Sequence, residues 1–360
     1  MVPRVVIASM LVALLAACGA TPAAPTGGVE ATTAATAAPA GGEAATAAPA
    51  AAATTAPAAS GEKLRLTIGT GGTGGVFFPY GGGVARILTA KMPNTEATAQ
   101  ETGGSVDNMK LIQTGEAQVG FSTVDSAFDA INGKGAYAET GPVQAQTIAV
   151  LYQSFVHVVA TQESGIADVA GMKGKRVSVG SAGSSTEAAA DRVLEAGGLN
   201  PQADVSRENL SVADSVSAIK DGKIDAFFWI GGLPTSAVTD LTTTGTPAVT
   251  FIPTGQYVAP MIEKYGPLYS EMTLPTSVYK NIAADVPGIG IGNIIFVGAD
   301  MSEDTVYAML TTLFDNLAET QAVHPEAKKF SLDTAWTGSS IPFHPGAIRF
   351  YKEKGVWKDS

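Results

Sequence analysis

The chain has 360 residues, with 22 Lys and Arg against 33 Asp and Glu, for a formal net charge of −11. That sign excludes nucleic acid or an anionic membrane as a partner held by charge, and says little about a small ligand, because local groups set a binding cleft. The single cysteine excludes an internal disulfide. The three histidines, His157, His324 and His344, stand in no metal-ligand spacing, so no metal and no cofactor is expected.

At the N-terminus Arg4 precedes an apolar stretch at 5–15, the small residues Ala16 and Ala17, and then Cys18. An ordinary secretory signal ends in a small-x-small site without cysteine. This arrangement resembles a bacterial lipobox: residues 1–17 form the signal peptide and Cys18 takes the lipid. The other reading is a short signal with an incidental cysteine. The apolar stretch is too short to span a hydrocarbon core, which takes about 20 residues. Residues 18–62 are almost entirely Ala, Thr, Pro and Gly, with nothing apolar and periodic to offset chain entropy. They are expected to be a disordered stalk holding the folded part outside the cytoplasm, on the outer face of a membrane.

Beyond the stalk, strand-like and helix-like segments alternate, which points to α/β rather than an all-β sandwich. Residues 64–69 read as a first strand, followed by a glycine-rich turn and a helix running towards Met92, with Pro79 well placed for its first turn. Residues 95–101 form a second strand. A helix capped by Ser105 ends at Gly115, a strand covers 117–122, and another helical segment follows Asp125. The apolar, β-branched stretch 146–161 suits a strand crossing between lobes. The first pattern then recurs: strand 175–180, a serine-rich turn, helix 186–196, helix 214–221 and buried strand 224–230. A short strand at 249–252 and a helix at 257–264 follow. Residues 286–298 read as a return crossover before an amphipathic helix at 303–317. Two lobes are expected, 63–162 with 286–360 and 163–285, joined by two crossover strands with a ligand cleft between them.

The turn GTGGTGG offers close backbone approach and leads into a helix N-terminus, which suits a carboxylate at Thr73, Gly74 and Gly75. It also fits the nucleotide string GxGxxG, but no acidic ribose partner is evident, and glycines alone make a tight turn. Thr102, Ser105 and Asn108 give a second helix start, either a ligand contact or a capped helix alone. Ser181, Ser184, Ser185 and Thr186 give a third; there Ser184 with Glu187 also forms a capping box that needs no ligand. Gly231 and Pro234 are placed at the cleft, because ligands bind beyond the carboxyl ends of strands in open α/β sheets. Phe78, Tyr80, Tyr152 and Asp125 are further cleft candidates. Trp229 reads as core and His344 as a structural histidine.

Taken together, FFPYGGG, TGGSVDN at 102–108, GEAQVGFSTVD at 115–125, DVAGMKGKRVSVGSAGSST at 168–186, DGKIDAFFWIGGLP at 221–234, LPTSVY at 274–279 and FHPGAIRFYKEKG at 343–355 resemble the TAXI receptors, solute-binding components of tripartite ATP-independent periplasmic (TRAP) transporters. The chain departs from many relatives by carrying Phe77 and Phe78 for tyrosine, and Ser185 where a glycine often separates serine from threonine. The resemblance implies a monomeric, bilobal receptor of the type II periplasmic-binding-protein kind. Such a receptor captures a small organic anion, an amino acid such as glutamate or another carboxylate, and hands it to a membrane permease. The alternative is a secreted transferase or hydrolase on the same frame, but no nucleophile-plus-base arrangement stands out, and no catalytic residue is expected.

Overall fold

The computed structural model describes residues 63–358. The signal peptide, Cys18 and the stalk lie outside the described residues, among which no helix is long and apolar enough to cross a membrane. The chain opens with β1 (Leu64–Gly69), α1 (Phe77–Lys91), β2 (Thr95–Gln100), α2 (Ser105–Thr114), β3 (Val119–Thr123) and α3 (Val124–Ile131). After the long β4 (Ala145–Thr161) the alternation repeats as β5 (Arg176–Ser178), α4 (Ser185–Ala196), β6 (Ser206–Glu208), α5 (Val212–Lys220), β7 (Ala226–Gly231) and α6 (Ser236–Thr244). The remainder is β8 (Val249–Phe251), α7 (Val258–Tyr265), β9 (Tyr269–Leu274), β10 (Val286–Gly298), α8 (Glu303–Asp315), α9 (Leu317–Ala322) and α10 (Pro345–Glu353).

The sheet order is β2-β1-β3-β10-β4-β7-β5-β6, with β8 on β4 and β9 on β10. Each half therefore contains three parallel strands with its first strand in the middle, β2-β1-β3 in one and β6-β5-β7 in the other. Between them β4 and β10 run antiparallel to each other and to their neighbours. At 17 residues, β4 is roughly 55 Å long at ~3.3 Å per residue. Its first part pairs with β10, and 155–161 pair with β7 and β8. Likewise β10 pairs with β9 over 286–291 and with β3 over 293–297. These are the two crossover strands expected from the sequence, and the fold is α/β with two lobes and a cleft between.

The apolar periodicities that defined the helices bury one face of each. Leu66, Ile68, Ile87 and Leu88 pack under α8 and α10 through Met309, Leu313 and Phe350. In the other half, Val159, Phe227, Leu241 and Phe251 close a second core. His157 sits wholly inside it. Its Nδ1 lies 3.1 Å from the Phe155 carbonyl and 3.2 Å from that of Trp229, and its Nε2 lies 3.0 Å from the Tyr279 hydroxyl. A neutral ring satisfies all three by donating at Nδ1 and accepting at Nε2, and burial accordingly lowers its pKa to about 4. His344 is also structural: its Nδ1 accepts from the Gly346 N–H at 3.1 Å at the start of α10, and its Nε2 meets the Met301 carbonyl at 2.9 Å.

α1 begins at Phe77 with Pro79 in its first turn, as expected. One helix start differs from expectation. α2 is preceded by Gly104 at φ 128, a conformation that favours glycine, and Ser105 is its first helical residue rather than its cap.

Candidate functional site

In each half the turns after the first two parallel strands lead into helices at the carboxyl ends of the strands. The glycine turn after β1 brings up Val76 and Phe77 of α1. The turn after β2 brings up Gly104 and Ser105 of α2. In the second half Ser184 and Ser185 open α4, and Ser211 and Val212 open α5. All four helix starts line one cavity of about 50 Å3, space for roughly four water molecules. An α-helix presents orphan N–H groups and a positive dipole end at its N-terminus, so four of them favour an anion. Among the described residues lining the cavity, none carries a carboxylate, ammonium or guanidinium group.

Two glycines of the first turn lie close against the opposite half. A Cβ on Gly74 would lie 3.3 Å from the Ala213 and Val212 side chains, and one on Gly75 would lie 2.8 Å from the Trp229 ring. Between α2 and α4 the approach is closer still. A Cβ on Gly103 would lie 2.4 Å from the Ala182 carbonyl, and the Asp107 N–H donates to the Gly183 carbonyl at 3.1 Å.

Of the residues singled out in the sequence, Gly74, Gly75, Ser105, Tyr152 and Gly231 line the cavity. So do Ser181, Ser184, Ser185 and Thr186. Their hydroxyls are differently committed. Ser184 accepts from the Glu187 N–H at 3.1 Å and donates to the Ser181 carbonyl at 2.6 Å, so its hydroxyl is occupied by the helix cap. Glu187 Oε2 returns to the Gly183 N–H at 3.2 Å, one residue before the cap. The Ser105 hydroxyl accepts from the Thr123 N–H at 3.1 Å, and that of Thr186 accepts from the Ile230 N–H at 3.2 Å. Both keep a proton to donate. Ser185, 7% exposed, makes no side-chain hydrogen bond among the described residues.

The remaining candidates are not brought to the cavity. Thr73 is exposed on the outside of its turn, its N–H donating to Glu101 at 3.2 Å. Phe77 replaces Phe78 at the lining, because successive helical side chains diverge by about 100°. Tyr80 is buried between Phe121 and Tyr152, with ring centroids 5.6 and 6.5 Å away. Asn108 spends its Nδ2 protons on the carbonyls of Thr70 at 2.6 Å and Phe121 at 2.8 Å, while its Oδ1 accepts from the Thr102 hydroxyl at 2.7 Å. That pair fastens the turn and leaves nothing for a ligand. Pro234 is exposed beyond the end of β7.

Asp125 belongs to a different structure. It is fully buried and accepts from the Thr123 hydroxyl at 2.6 Å and the Ser126 N–H at 2.9 Å. Its other oxygen faces Arg192 of α4 at 3.4 Å and the Tyr269 hydroxyl at 3.2 Å. Arg192 also pairs with Asp129 and lies over the Tyr265 ring at 4.6 Å. Burial outweighs the guanidinium at Asp129 and holds its carboxyl above the usual range. This ion-paired cluster joins α3 to α4 beside the cavity.

Sequence reasoning missed Trp229, Ser154, Ser211 and Asn293, all in the lining. The Trp229 Nε1–H donates to the Thr235 hydroxyl at 2.9 Å, so the ring is anchored at its edge while it borders the cavity. Asn293 lies in β10, where an amide interrupting GIGIGNIIFVG was the available signal.

Among solved structures, the chain is similar to the alkanesulfonate-binding protein SsuA from Xanthomonas axonopodis pv. citri bound to MOPS. Identity is 16% over 82% of this chain and 92% of that one, with a TM-score of 0.42. A binding protein component of an ABC phosphonate transporter from Pseudomonas aeruginosa shares 11% identity over 75% and 80% of the two chains, at 0.49. A putative L-cystine ABC transporter structure from Listeria monocytogenes shares 13% over 76% and 98%, at 0.43. The model of the NMT1-like family matches residues 68–355, and the chain belongs to that family.

Proposed function

We propose that the protein is an extracytoplasmic solute receptor that closes its two lobes on a small organic anion and delivers it to a membrane permease. The observation that carries this reading is the meeting of four helix N-termini, two from each half of the sheet, on one cavity without a charged side chain. Such a site binds an anion through N–H groups and hydroxyls alone and gives no group that would act as a catalytic base. Closure expels water and strengthens each of those contacts.

The lobes we propose are 63–162 with 286–360 and 163–285. Contacts between these segments ring the cavity: Gly74 against α5, Asp107 with Gly183, Arg192 with Asp125, and the Leu233 N–H with Glu326 Oε1 at 3.0 Å. We read this arrangement as the closed state. The sequence motifs favour a TAXI-type receptor serving a TRAP permease, tethered through Cys18 and acting as a monomer, with an amino acid or another carboxylate as solute. The test is thermal stabilisation against a library of carboxylates, amino acids, sulfonates and phosphonates. A ligand at a hundredfold its dissociation constant adds about 2.7 kcal/mol. Turnover of a bound compound instead of stable retention would turn the assignment to an enzyme.

A further inference from the structure

We infer that the solute carries a neutral hydrogen-bond donor beside its anionic group, as a hydroxy acid does, and that Asn293 reads that donor; this rests on the receptor reading above. Asn293 is fully buried and lines the cavity. Its Nδ2 lies 3.1 Å from the Tyr152 carbonyl, 2.9 Å from the Ser154 hydroxyl and 3.4 Å from the Ile291 carbonyl. Two of those three partners are carbonyls, which only accept. The amide orientation is thereby fixed, with the nitrogen turned to the strand and the oxygen left over. Asn293 Oδ1 has no hydrogen-bond partner among the described residues. A buried carbonyl oxygen without a donor is costly, so a cavity built around one is complementary to a ligand that donates.

Hydroxyl and ammonium groups both donate, and the lining distinguishes them. An ammonium enclosed on closure needs a carboxylate, and among the described lining residues there is none. The four helix ends that attract the anionic group also repel a second, positive one. A hydroxyl meets Asn293 Oδ1 without either cost, and its own oxygen can accept from Ser185 or Thr186.

Calorimetric titration of the full chain with matched series tests this: butyrate, 2-hydroxybutyrate and 2-aminobutyrate, then succinate, malate and aspartate. The expected result is that the hydroxylated member of a series binds about tenfold more tightly than the unsubstituted one, with the amino member weaker than the hydroxylated. Asn293→Leu should erase that preference. Should that variant fail to fold, the wild-type series still decides. Equal affinity for the hydroxylated and unsubstituted members overturns the donor requirement and leaves the anion receptor standing. Tightest binding by an amino member overturns the choice of a neutral donor. Binding by none of the six overturns the inference together with the carboxylate-receptor reading beneath it.

Discussion

Thr186→Val separates what the serine-rich turn does for the fold from what it does for the ligand. The threonine is 3% exposed, and its hydroxyl accepts from the Ile230 N–H of β7 at 3.2 Å. Valine keeps the shape and leaves that N–H buried without a partner, a loss of about 1–3 kcal/mol. For a folded part of this size that corresponds to a fall in melting temperature of about 2–5 °C. Ser185→Ala is the matched comparison. The Ser185 hydroxyl has no partner among the described residues, so its loss should leave the melting temperature within about 1 °C and weaken a carboxylate by about three- to a hundredfold. Both variants are followed by melting without ligand and by calorimetry with it. An unchanged melting temperature for Thr186→Val would refute the bridge between α4 and β7. Unchanged affinity in Ser185→Ala would remove this helix start from the binding site.

Arg192→Met leaves Asp125 and Asp129 without their cation, and a broken buried pair costs about 3–5 kcal/mol. Chemical denaturation at pH 7 measures it, and the penalty should shrink at lower pH as the raised Asp129 carboxyl takes up a proton; a loss under 1 kcal/mol would make the cluster decorative. His157 is held neutral, with its pKa lowered to about 4 against about 6.5 in an unfolded chain. Between those values the unfolded state binds the extra proton, so this stability is fully present above pH 6.5 and is lost as pH falls to 4, a change of about 3 kcal/mol. Melting between pH 7 and 4.5 should show it, and a slope that survives in His157→Gln would place the titrating group elsewhere. Cys18→Ser should release the protein from membranes; retention after a high-salt wash would contradict a lipid anchor.

The alternation of short apolar strands with amphipathic helices was readable because each element's period matches the face it buries, as in β1, β4, α4 and β10. The second and third glycine- or serine-rich turns were readable as helix starts for the same local reason. β6 was not readable: Ser206, Arg207 and Glu208 form a three-residue edge strand with no apolar alternation. Membership of the cavity was only partly legible. Asn108 and Asp125 are polar residues beside the right turns, yet they are consumed by Thr102 and by Arg192, partners 6 and 67 residues away. Asn293 and Trp229 border the cavity from strands whose apolar neighbours suggested core. Which side of a buried strand meets a cleft is decided by what packs on it, not by its own period.

In the proposed receptor the two halves close on a small anion. Small-angle scattering with and without a carboxylate that raises the melting temperature measures this directly. The bound protein should show a smaller radius of gyration, matching the contacts of Gly74 with α5 and Asp107 with Gly183. An unchanged radius alongside demonstrated binding would contradict it.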